Sequence, residues 1–262
     1  MQDGFEMITI DEGNVDRRGF FCYMSKRKSP GYRQKRAWLA ERFAEGLKIQ
    51  IVHETGGRDV GFVEYIPGEF AWRAVLAPGY LVIHCLWVVG KGKGKGHGSR
   101  LVQVCLDDAR DQNRHGVVVV SSDQPWLASK GIFLQNGFVE IDQAPPSFQL
   151  LVHRFGSGPE PSFPDDSEAR QARFGPGLTD VRAHQCPYLE AAEKAVLEIA
   201  AVRGIPARVV ELCSSRAVQT QAPSARCVYG LVLDGELVTA SSLQAKDVET
   251  QPDANPLRRS GD

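Results

Sequence analysis

Near the middle of the sequence, a strand without a polar face runs directly into a glycine-rich loop. Residues 80–89 read YLVIHCLWVV and are apolar at both sets of alternating positions, as in a strand that is covered on both faces of its sheet. The loop that follows, GKGKGKGHGSR, leads into a stretch of helical periodicity. Its apolar residues are Leu101, Val102, Cys105, Leu106 and Ala109. A buried strand joined to an amphipathic helix by such a loop predicts the α/β fold class.

The loop also has the composition of an anion site. The amides of residues 94–99 lie at the predicted start of the helix, where the helix dipole favours negative charge, and alternating glycines let the main chain approach a ligand closely. Four cationic side chains accompany them: Lys91, Lys93, Lys95 and Arg100. Because the net charge of the chain is −1, this positive charge is local, which argues against nucleic acid as a partner. The alternative is a flexible basic loop without a ligand.

This stretch resembles motif A of the GCN5-related N-acetyltransferases, which bind the pyrophosphate of acetyl-CoA through an [RQ]-x-x-G-x-[GA] pattern after the fourth strand. The corresponding residues here are Lys93, Gly94, Lys95, Gly96, His97 and Gly98, followed by Ser99. A second match, FLQNGF at residues 133–138, is similar to the end of the family's fourth helix. The resemblance extends over residues 7–155. It implies a mixed sheet with flanking helices, and acetyl-CoA as co-substrate.

The resemblance also implies roles for residues on the fourth strand and the fourth helix. The strand is expected to splay from its parallel neighbour and to hold the pantetheine and the thioester through Leu86, Trp87 and Val88. Phe133 is expected at the cofactor, where many family members have the tyrosine that protonates the departing thiolate. Because phenylalanine has no proton to give, the chain lacks the family's usual general acid.

Three residues are candidates for the base that deprotonates the acceptor amine. His84 lies on the fourth strand, near where some family members carry a base, and the reference pKa of histidine, about 6.5, suits that role. A hydrogen-bonded core histidine is the alternative. Glu64 and Glu69, near the end of the third strand, are rival bases. Cys85 is expected to alternate to the opposite face of the strand and to serve packing.

Composition divides the chain into four parts. Residues 1–155 form the predicted acetyltransferase domain, and residues 156–177, rich in proline and glycine, are typical of a linker. Residues 178–240 form a second, smaller domain. Residues 241–262 contain few large aliphatic side chains and are expected to be a disordered tail.

The second domain has the predicted order strand, helix, strand and hairpin, with Cys186-Pro187-Tyr188 at the start of the helix. This order resembles a truncated thioredoxin-like α/β fold and the YoaP-type domain that follows some GCN5-related acetyltransferases. Leu189 replaces the second cysteine of a redox pair, so a dithiol cycle is not expected there. Cys186 is a candidate low-pKa thiolate that binds a low-molecular-weight thiol or a metalloid. A structural cysteine is the alternative.

These features predict an enzyme that moves an acetyl group directly from acetyl-CoA to the amine of a small molecule. Trp38, Trp72 and Trp126 are candidates for the acceptor pocket or for the core. The alternative functions are an acetyl-CoA-binding sensor without turnover and a thiol-binding or metalloid-binding protein acting through Cys186. The six cysteines form no C-x-x-C pair, and neither a signal peptide nor a membrane span is recognisable, so a cytoplasmic protein without a metal site is expected.

Overall fold

A computed structural model describes residues 4–124 and 127–241 of the 262-residue chain. Its first sheet has seven strands: β1 (Phe5–Ile10), β2 (Lys48–Glu54), β3 (Arg58–Pro67), β4 (Leu81–Val88), β5 (Gly116–Ser121), β6 (Val139–Ala144) and β7 (Phe148–Arg154). The strands lie in the order β1-β2-β3-β4-β5-β7-β6. Parallel pairing joins β4 to β5, and the other neighbours are antiparallel. The predicted mixed sheet is confirmed.

Helices cover both faces of this sheet: α1 (Val15–Arg18), α2 (Pro30–Ala44), α3 (His97–Asp111) and α4 (Lys130–Leu134). The α2 helix begins where Ser29 accepts a hydrogen bond from the Tyr32 amide and proline occupies the first turn, a favourable start because proline lacks the amide that would stay unpaired there. Residues of α2 and α3 belong to different hydrophobic clusters on opposite faces of the sheet. The central strands are therefore buried on both sides, as their sequence predicts.

Two helices of the first region are short. The α1 helix is a single turn, because Gly19, with a left-handed φ of 78°, follows its last residue, Arg18. The α4 helix begins at Lys130, where Ser129 caps it. Trp126 lies outside the described residues.

The β4 strand changes its pairing at His84. On one side, β4 pairs with β5 from Leu81 to Ile83, and no further pairing between the two strands is present among the described residues. On the other side, Glu64 faces Cys85 while Tyr65 faces Ile83, so His84 is the extra residue of a β-bulge. The bulge places His84 and Cys85 on the same face, toward α2. The prediction that Cys85 points to the opposite face is wrong, because strict alternation fails at a bulge.

The segment 156–177, predicted as a linker, packs against the first sheet rather than spanning open solvent. Ser162 forms a bridge with Leu76, and the Phe163 amide donates to the Asp142 carboxylate at 2.7 Å. The short helix α5 (Ser167–Ala172) follows. Phe163 and Phe174 are both buried in the cluster on the α2 face, because these large apolar side chains anchor an otherwise polar segment.

The second sheet contains four strands: β8 (Leu178–Arg182), β9 (Ala207–Glu211), β10 (Tyr229–Leu233) and β11 (Glu236–Thr239), in the order β11-β10-β8-β9. Two helices accompany it: α6 (Glu190–Val202) and α7 (Ser215–Gln221). The predicted order of strand, helix, strand and hairpin is confirmed, although α7 was not predicted. The division into domains and the thioredoxin-like kinship stay predictions. Of the predicted tail, residues 242–262 lie outside the described residues.

The predicted start of the first helix in this second region is wrong. The α6 helix begins at Glu190, so Cys186 and Pro187 precede it in a turn. The turn is held against the segment between α1 and α2 instead, because the Tyr188 hydroxyl accepts a hydrogen bond from the Tyr23 amide at 3.1 Å. The two sheets also share one hydrophobic cluster, which includes Val82 and Val181. Within residues 4–124 and 127–241, no helix combines the length and apolarity that a bilayer crossing requires.

Candidate active site

The glycine loop presents main-chain amides at the start of α3. Gly94 and Gly96 have φ angles of 76° and 78°, which residues with a side chain adopt only with strain. Among the described residues, none of the amides of residues 94–99 donates a backbone hydrogen bond; the first that does is the amide of Arg100, to the Gly96 carbonyl. Six consecutive donors at a helix N-terminus form a cradle for an anion.

The side chains of this loop are arranged differently from the expectation. Lys95 pairs with Glu54 at 2.7 Å, and His97 is buried with its Nε2 atom 3.2 Å from the same carboxylate. These two hydrogen bonds lower the pKa of Glu54. Ser99 accepts a hydrogen bond from the Asn136 side chain at 3.1 Å. Lys95, His97 and Ser99 can therefore contribute their amides to an anion, while their side chains bind elsewhere in the protein.

Two glycines of the loop allow close packing rather than a special backbone angle. A Cβ atom on Gly98 would lie 3.3 Å from Ile132 of α4, and one on Gly92 would lie 2.8 Å from Val60 of β3. The loop is thereby pressed against both the sheet and the fourth helix. Lys93, whose ammonium lies 6.0 Å from the centre of the Trp87 ring, stands between the loop and β4.

The end of β4 forms an open edge beside the loop. Leu86, Trp87 and Val88 lie beyond the last residue of β4 that pairs with β5, as expected for the splayed pair. Leu86 is buried on the α3 face, whereas Trp87 and Val88 are half-buried. Along these three residues, β4 thus extends past its pairing with β5.

Phe133 lies inside the core. Its side chain is completely buried and packs edge to face on Phe138, with ring centres 5.5 Å apart. In this structure the phenylalanine therefore supports α4 from within and does not line the open edge. Phe133 therefore neither donates a proton nor contributes to the protein surface.

The two candidate catalytic residues lie together in a buried polar network on the α2 face. Glu64 of β3 accepts hydrogen bonds from Lys35 of α2 at 2.5 Å and from Gln185 of the second region at 2.9 Å. His84 Nδ1 lies 3.3 Å from the same carboxylate. Each of these four side chains is at most 6% exposed. The network thus joins residues from both sheets around one carboxylate.

The hydrogen bonds of His84 fix its tautomer. The Trp72 amide can only donate, and it lies 2.9 Å from His84 Nε2, so the proton of the neutral ring is on Nδ1, facing Glu64. Burial lowers the pKa of His84 to about 4, and the nearby cations Arg73 and Lys35 act in the same direction. With both ring nitrogens bonded, His84 has no free lone pair for an amine, which does not fit the base role expected for it.

Glu64 is equally committed to its partners. Burial alone would raise the pKa of its carboxyl group, but Lys35 and the hydrogen bond from His84 outweigh burial and hold the pKa well below the usual range. A carboxylate this acidic is a weak base. The rival candidate Glu69 lies apart from the network; it binds the Gly79 amide at 2.9 Å and pairs with Arg114 at the surface.

Arg73 connects this network to the main chain of β4. Its guanidinium donates to the carbonyl of His84, to the carbonyl of Trp72 at 2.6 Å, and to Gln185 Oε1 at 2.5 Å. Its Nε atom is buried and has no hydrogen-bond partner in the part of the chain that the structure describes. Burial and the neighbouring Arg226 lower the pKa of Arg73 to about 10, so the side chain keeps its charge at neutral pH.

Sequence reasoning missed Lys35, Arg73 and Gln185 as site residues. Lys35 had a signal, since it shares the helical face of Tyr32 and Leu39 and a charge on an apolar face needs a partner. Arg73 sits in the apolar run AWRAV, which carries the same signal more weakly. Nothing in the sequence around Gln185 indicates its contact with a carboxylate 121 residues away.

Cys186 does not have the environment of a reactive thiolate. It precedes α6 by four residues, so the helix does not stabilise a negative charge on it, and burial raises its pKa. Cys22 and Cys85 lie near enough to interact with it electrostatically, and burial raises the pKa of both. The expectation of a low-pKa thiol at Cys186 is wrong, because the helix begins later than its sequence indicates.

This fold and loop define a class of protein. Residues 17–138 match the model of the acetyltransferase (GNAT) family. The chain belongs to this family and is an acetyl-CoA-dependent N-acetyltransferase, with acetyl-CoA as co-substrate. The expectation from motif A is thereby confirmed at the level of family and reaction.

Particular relatives extend the similarity. The chain is 29% identical over 236 residues to the N-acetyltransferase YoaP of Bacillus subtilis (strain 168), which covers 88% of this chain and 92% of that protein. It is 30% identical over 111 residues to the L-methionine sulfoximine/L-methionine sulfone acetyltransferase of Pseudomonas paraeruginosa, covering 42% of this chain and 62% of that protein. The L-amino acid N-acyltransferase MnaT of Escherichia coli is 30% identical over 109 residues, 42% of this chain and 60% of that protein.

Among solved structures, yncA, an acetyltransferase from Salmonella typhimurium solved with its cofactor acetyl-CoA, is similar with a TM-score of 0.45. It is 17% identical and covers 62% of this chain and 98% of that chain. The Escherichia coli family member YhbS, solved with CoA, has a TM-score of 0.40 at 15% identity, with 62% of this chain and 90% of that chain covered.

Proposed function

We propose that this acetyltransferase acts on the amine of a small molecule that also carries a carboxylate, as an amino acid does. The observation that carries the proposal is the buried positive charge on the acceptor side of β4. Lys35 is neutralised by Glu64, whereas the three groups that Arg73 binds, two carbonyls and an amide, are all neutral. A buried guanidinium without a carboxylate is costly, and an anionic acceptor would compensate it.

Two relatives support an acceptor of this kind. The names of these proteins give methionine sulfoximine, methionine sulfone and L-amino acids as their acceptors. Each aligns with 42% of this chain. The proposal for the acceptor of this chain therefore rests on the buried charge of Arg73, and the relatives supply a starting set of compounds for the screen.

For the co-substrate, we place the pyrophosphate of acetyl-CoA on the free amides of residues 94–99. The pantetheine would run along the open edge of β4, past Leu86, Trp87 and Val88. The left-handed angles of Gly94 and Gly96 support this placement, because left-handed residues within such turns are typical of the backbone concavities that bind anions. Phe133 would then act only by supporting α4 from the core.

Transfer is proposed to be direct. The amine nitrogen attacks the thioester carbon, the carbon–nitrogen bond forms, the carbon–sulfur bond breaks, and the CoA thiolate leaves. Burial raises the pKa of Cys85 to about 12, which disfavours it as a nucleophile that would carry the acetyl group. A CoA thiol has a reference pKa near that of free cysteine, about 8.5, so the thiolate can leave and take its proton from water.

The acceptor's proton is also proposed to leave through water. His84 and Glu64 would affect this reaction as positioning residues, since neither offers a free basic site of the required pKa. Their hydrogen bonds hold the bulge of β4, and the residues that follow the bulge would orient the thioester.

An acceptor screen tests the proposal. L-methionine, its sulfone and its sulfoximine would each be incubated with acetyl-CoA and the enzyme, and free CoA thiol would be measured. The matched control is the decarboxylated amine of methionine, which lacks only the carboxylate. The expected result is thiol release with at least one amino acid and a kcat/KM at least tenfold lower for the control. Equal rates with and without the carboxylate would contradict the proposed acceptor class, and ping-pong kinetics would contradict direct transfer.

A further inference from the structure

Gln185 is the point at which the second region of the chain enters the acetyltransferase site. Its side chain is 6% exposed and uses both ends of its amide. The Nε2 group donates to Glu64 at 2.9 Å, and Oε1 accepts from Arg73 at 2.5 Å. An uncharged amide can donate and accept at once, so it links an anion to a cation without adding charge of its own.

The link continues to the strand that would hold the thioester. Arg73 donates both to Gln185 and to the main-chain carbonyl of His84, and His84 is the bulged residue of β4. Glu64, the other partner of Gln185, binds the His84 ring. Gln185 is therefore linked to His84 by two routes. One runs through Glu64 to the His84 side chain, and the other runs through Arg73 to the His84 backbone.

The neighbouring contacts place Gln185 firmly. Two residues to its N-terminal side, the Ala183 amide donates to the Val228 carbonyl at 3.2 Å, and three residues later Tyr188 packs on Tyr23 with ring centres 4.7 Å apart. The loop is thus fixed to its own region at one end and to the segment between α1 and α2 at the other. A side chain held in this way can transmit the position of the second sheet to β4.

We infer that Gln185 is a positioning residue of the acetyltransferase, through which the second sheet sets the geometry of β4 for acetyl-CoA. This inference rests on the proposed placement of acetyl-CoA along β4. It assigns the C-terminal region a part in the reaction that requires no thiol chemistry at Cys186. Removal of the amide leaves Glu64 and Arg73 each short of one partner and frees the bulge to shift.

The test compares three variants in the full chain. Gln185→Leu keeps the approximate size and removes both hydrogen bonds. Gln185→Glu keeps an acceptor for Arg73 but faces Glu64 with a second carboxylate, so that the contact requires a shared proton. Gln219→Leu is the matched control, because Gln219 also bridges the two regions, donating to the Ala71 carbonyl at 2.9 Å, but does not bind the network.

Acetyl-CoA affinity, measured by calorimetry, is the first readout and needs no acceptor. The dissociation constant of Gln185→Leu is expected to rise about fivefold, and that of Gln219→Leu to stay within twofold of wild type. With an acceptor from the screen, kcat of Gln185→Leu is expected to fall about tenfold. For Gln185→Glu, the affinity relative to wild type is expected to fall as pH rises from about 5 to 8, because the shared proton is lost.

Equal effects of Gln185→Leu and Gln219→Leu on affinity would overturn the inference, since both variants lose one bridge between the regions. The inference would also be overturned if the acetyl-CoA affinity of Gln185→Glu relative to wild type did not change with pH. This second measurement tests the inference if Gln185→Leu does not fold. A wild-type protein that binds acetyl-CoA but acetylates no compound of the screen would refute the proposed acceptor, while the affinity ratios would still judge Gln185.

Discussion

The two sides of this site are constructed from different parts of the polypeptide. The anion loop uses main-chain amides of six consecutive residues, 94–99, and several of its side chains bind elsewhere. The network around Glu64 uses side chains from β3, β4, α2, the loop between β3 and β4, and the second region. A main-chain site depends on backbone angles and tolerates exchange of side chains, whereas a side-chain network depends on every partner and tolerates little loss.

The largest effect is expected from Gly96→Asp in the loop. The backbone at Gly96 is left-handed, a side chain there costs about 1 kcal/mol or more, and the new carboxylate repels phosphate. Acetyl-CoA affinity is expected to fall on the order of 100-fold, which corresponds to about 3 kcal/mol, as measured by calorimetry. Gly204→Asp is the control, because Gly204 is also left-handed and open (φ 64°) but lies after α6. If Gly96→Asp kept the acetyl-CoA affinity of wild type, the loop would not be part of the binding site.

Lys35→Met removes the buried ion pair between Lys35 and Glu64 from the network. Glu64 would stay buried without its closest cation, and loss of one member of a buried pair costs about 3–5 kcal/mol of unfolding free energy. Urea unfolding measures this cost. The double variant Lys35→Met with Glu64→Gln removes both charges and is expected to recover more than half of the loss. A single variant as stable as wild type would show that the pair contributes nothing.

The pH dependence of stability provides a third test. His84 has a pKa of about 4 in the folded protein against 6.5 in the unfolded chain, so below pH 6.5 the unfolded state binds a proton that the folded state does not. Stability is therefore expected to fall by about 3 kcal/mol as pH decreases from 6.5 to 4. The low pKa of Glu64 acts at lower pH, where its stabilisation is lost as the carboxylate is protonated.

His84→Gln isolates the histidine part of that acid response. Glutamine can donate to Glu64 and accept from the Trp72 amide as histidine does, but it does not titrate. Unfolding of the variant is expected to show a shallower decline of stability between pH 6.5 and 5 than wild type, because His153, whose pKa is also lowered by burial, still titrates in the variant. A parallel decline in both proteins would mean that His84 is not the group responsible.

The smallest effect is expected from Tyr188→Phe. This change removes the hydroxyl that accepts from the Tyr23 amide but leaves the two rings in contact. The cost is expected to be about 1 kcal/mol of unfolding free energy, with acetyl-CoA affinity within twofold of wild type. A large loss of acetyl-CoA affinity would show that residues of the loop around Tyr188, and not only Gln185, position β4.

The same contrast explains what could be predicted from the sequence. The loop could be predicted because its strand, glycines and helix are contiguous and each has a local pattern, and the mixed sheet and the family followed from it. The network could not, because its members come together only through tertiary structure. Gln185 is the extreme case, since it lies 121 residues from the carboxylate it binds.

Two errors have specific causes. The bulge at His84 has no pattern of its own, and it turned Cys85 toward the face opposite to the one expected. The proline at position 187 is typical of a helix start, yet the helix begins at Glu190 because the preceding turn is held by a contact to the segment between α1 and α2. In this second case a tertiary contact overrides a local preference.

The apolar cluster that contains both Val82 and Val181 limits how such a chain can be rearranged by recombination. An exchange of residues 178–241 for an unrelated region would have to match the buried surface of α2 and also supply an amide opposite Glu64. Two regions with these requirements are expected to change together at their shared surface and to vary more freely on their outer faces.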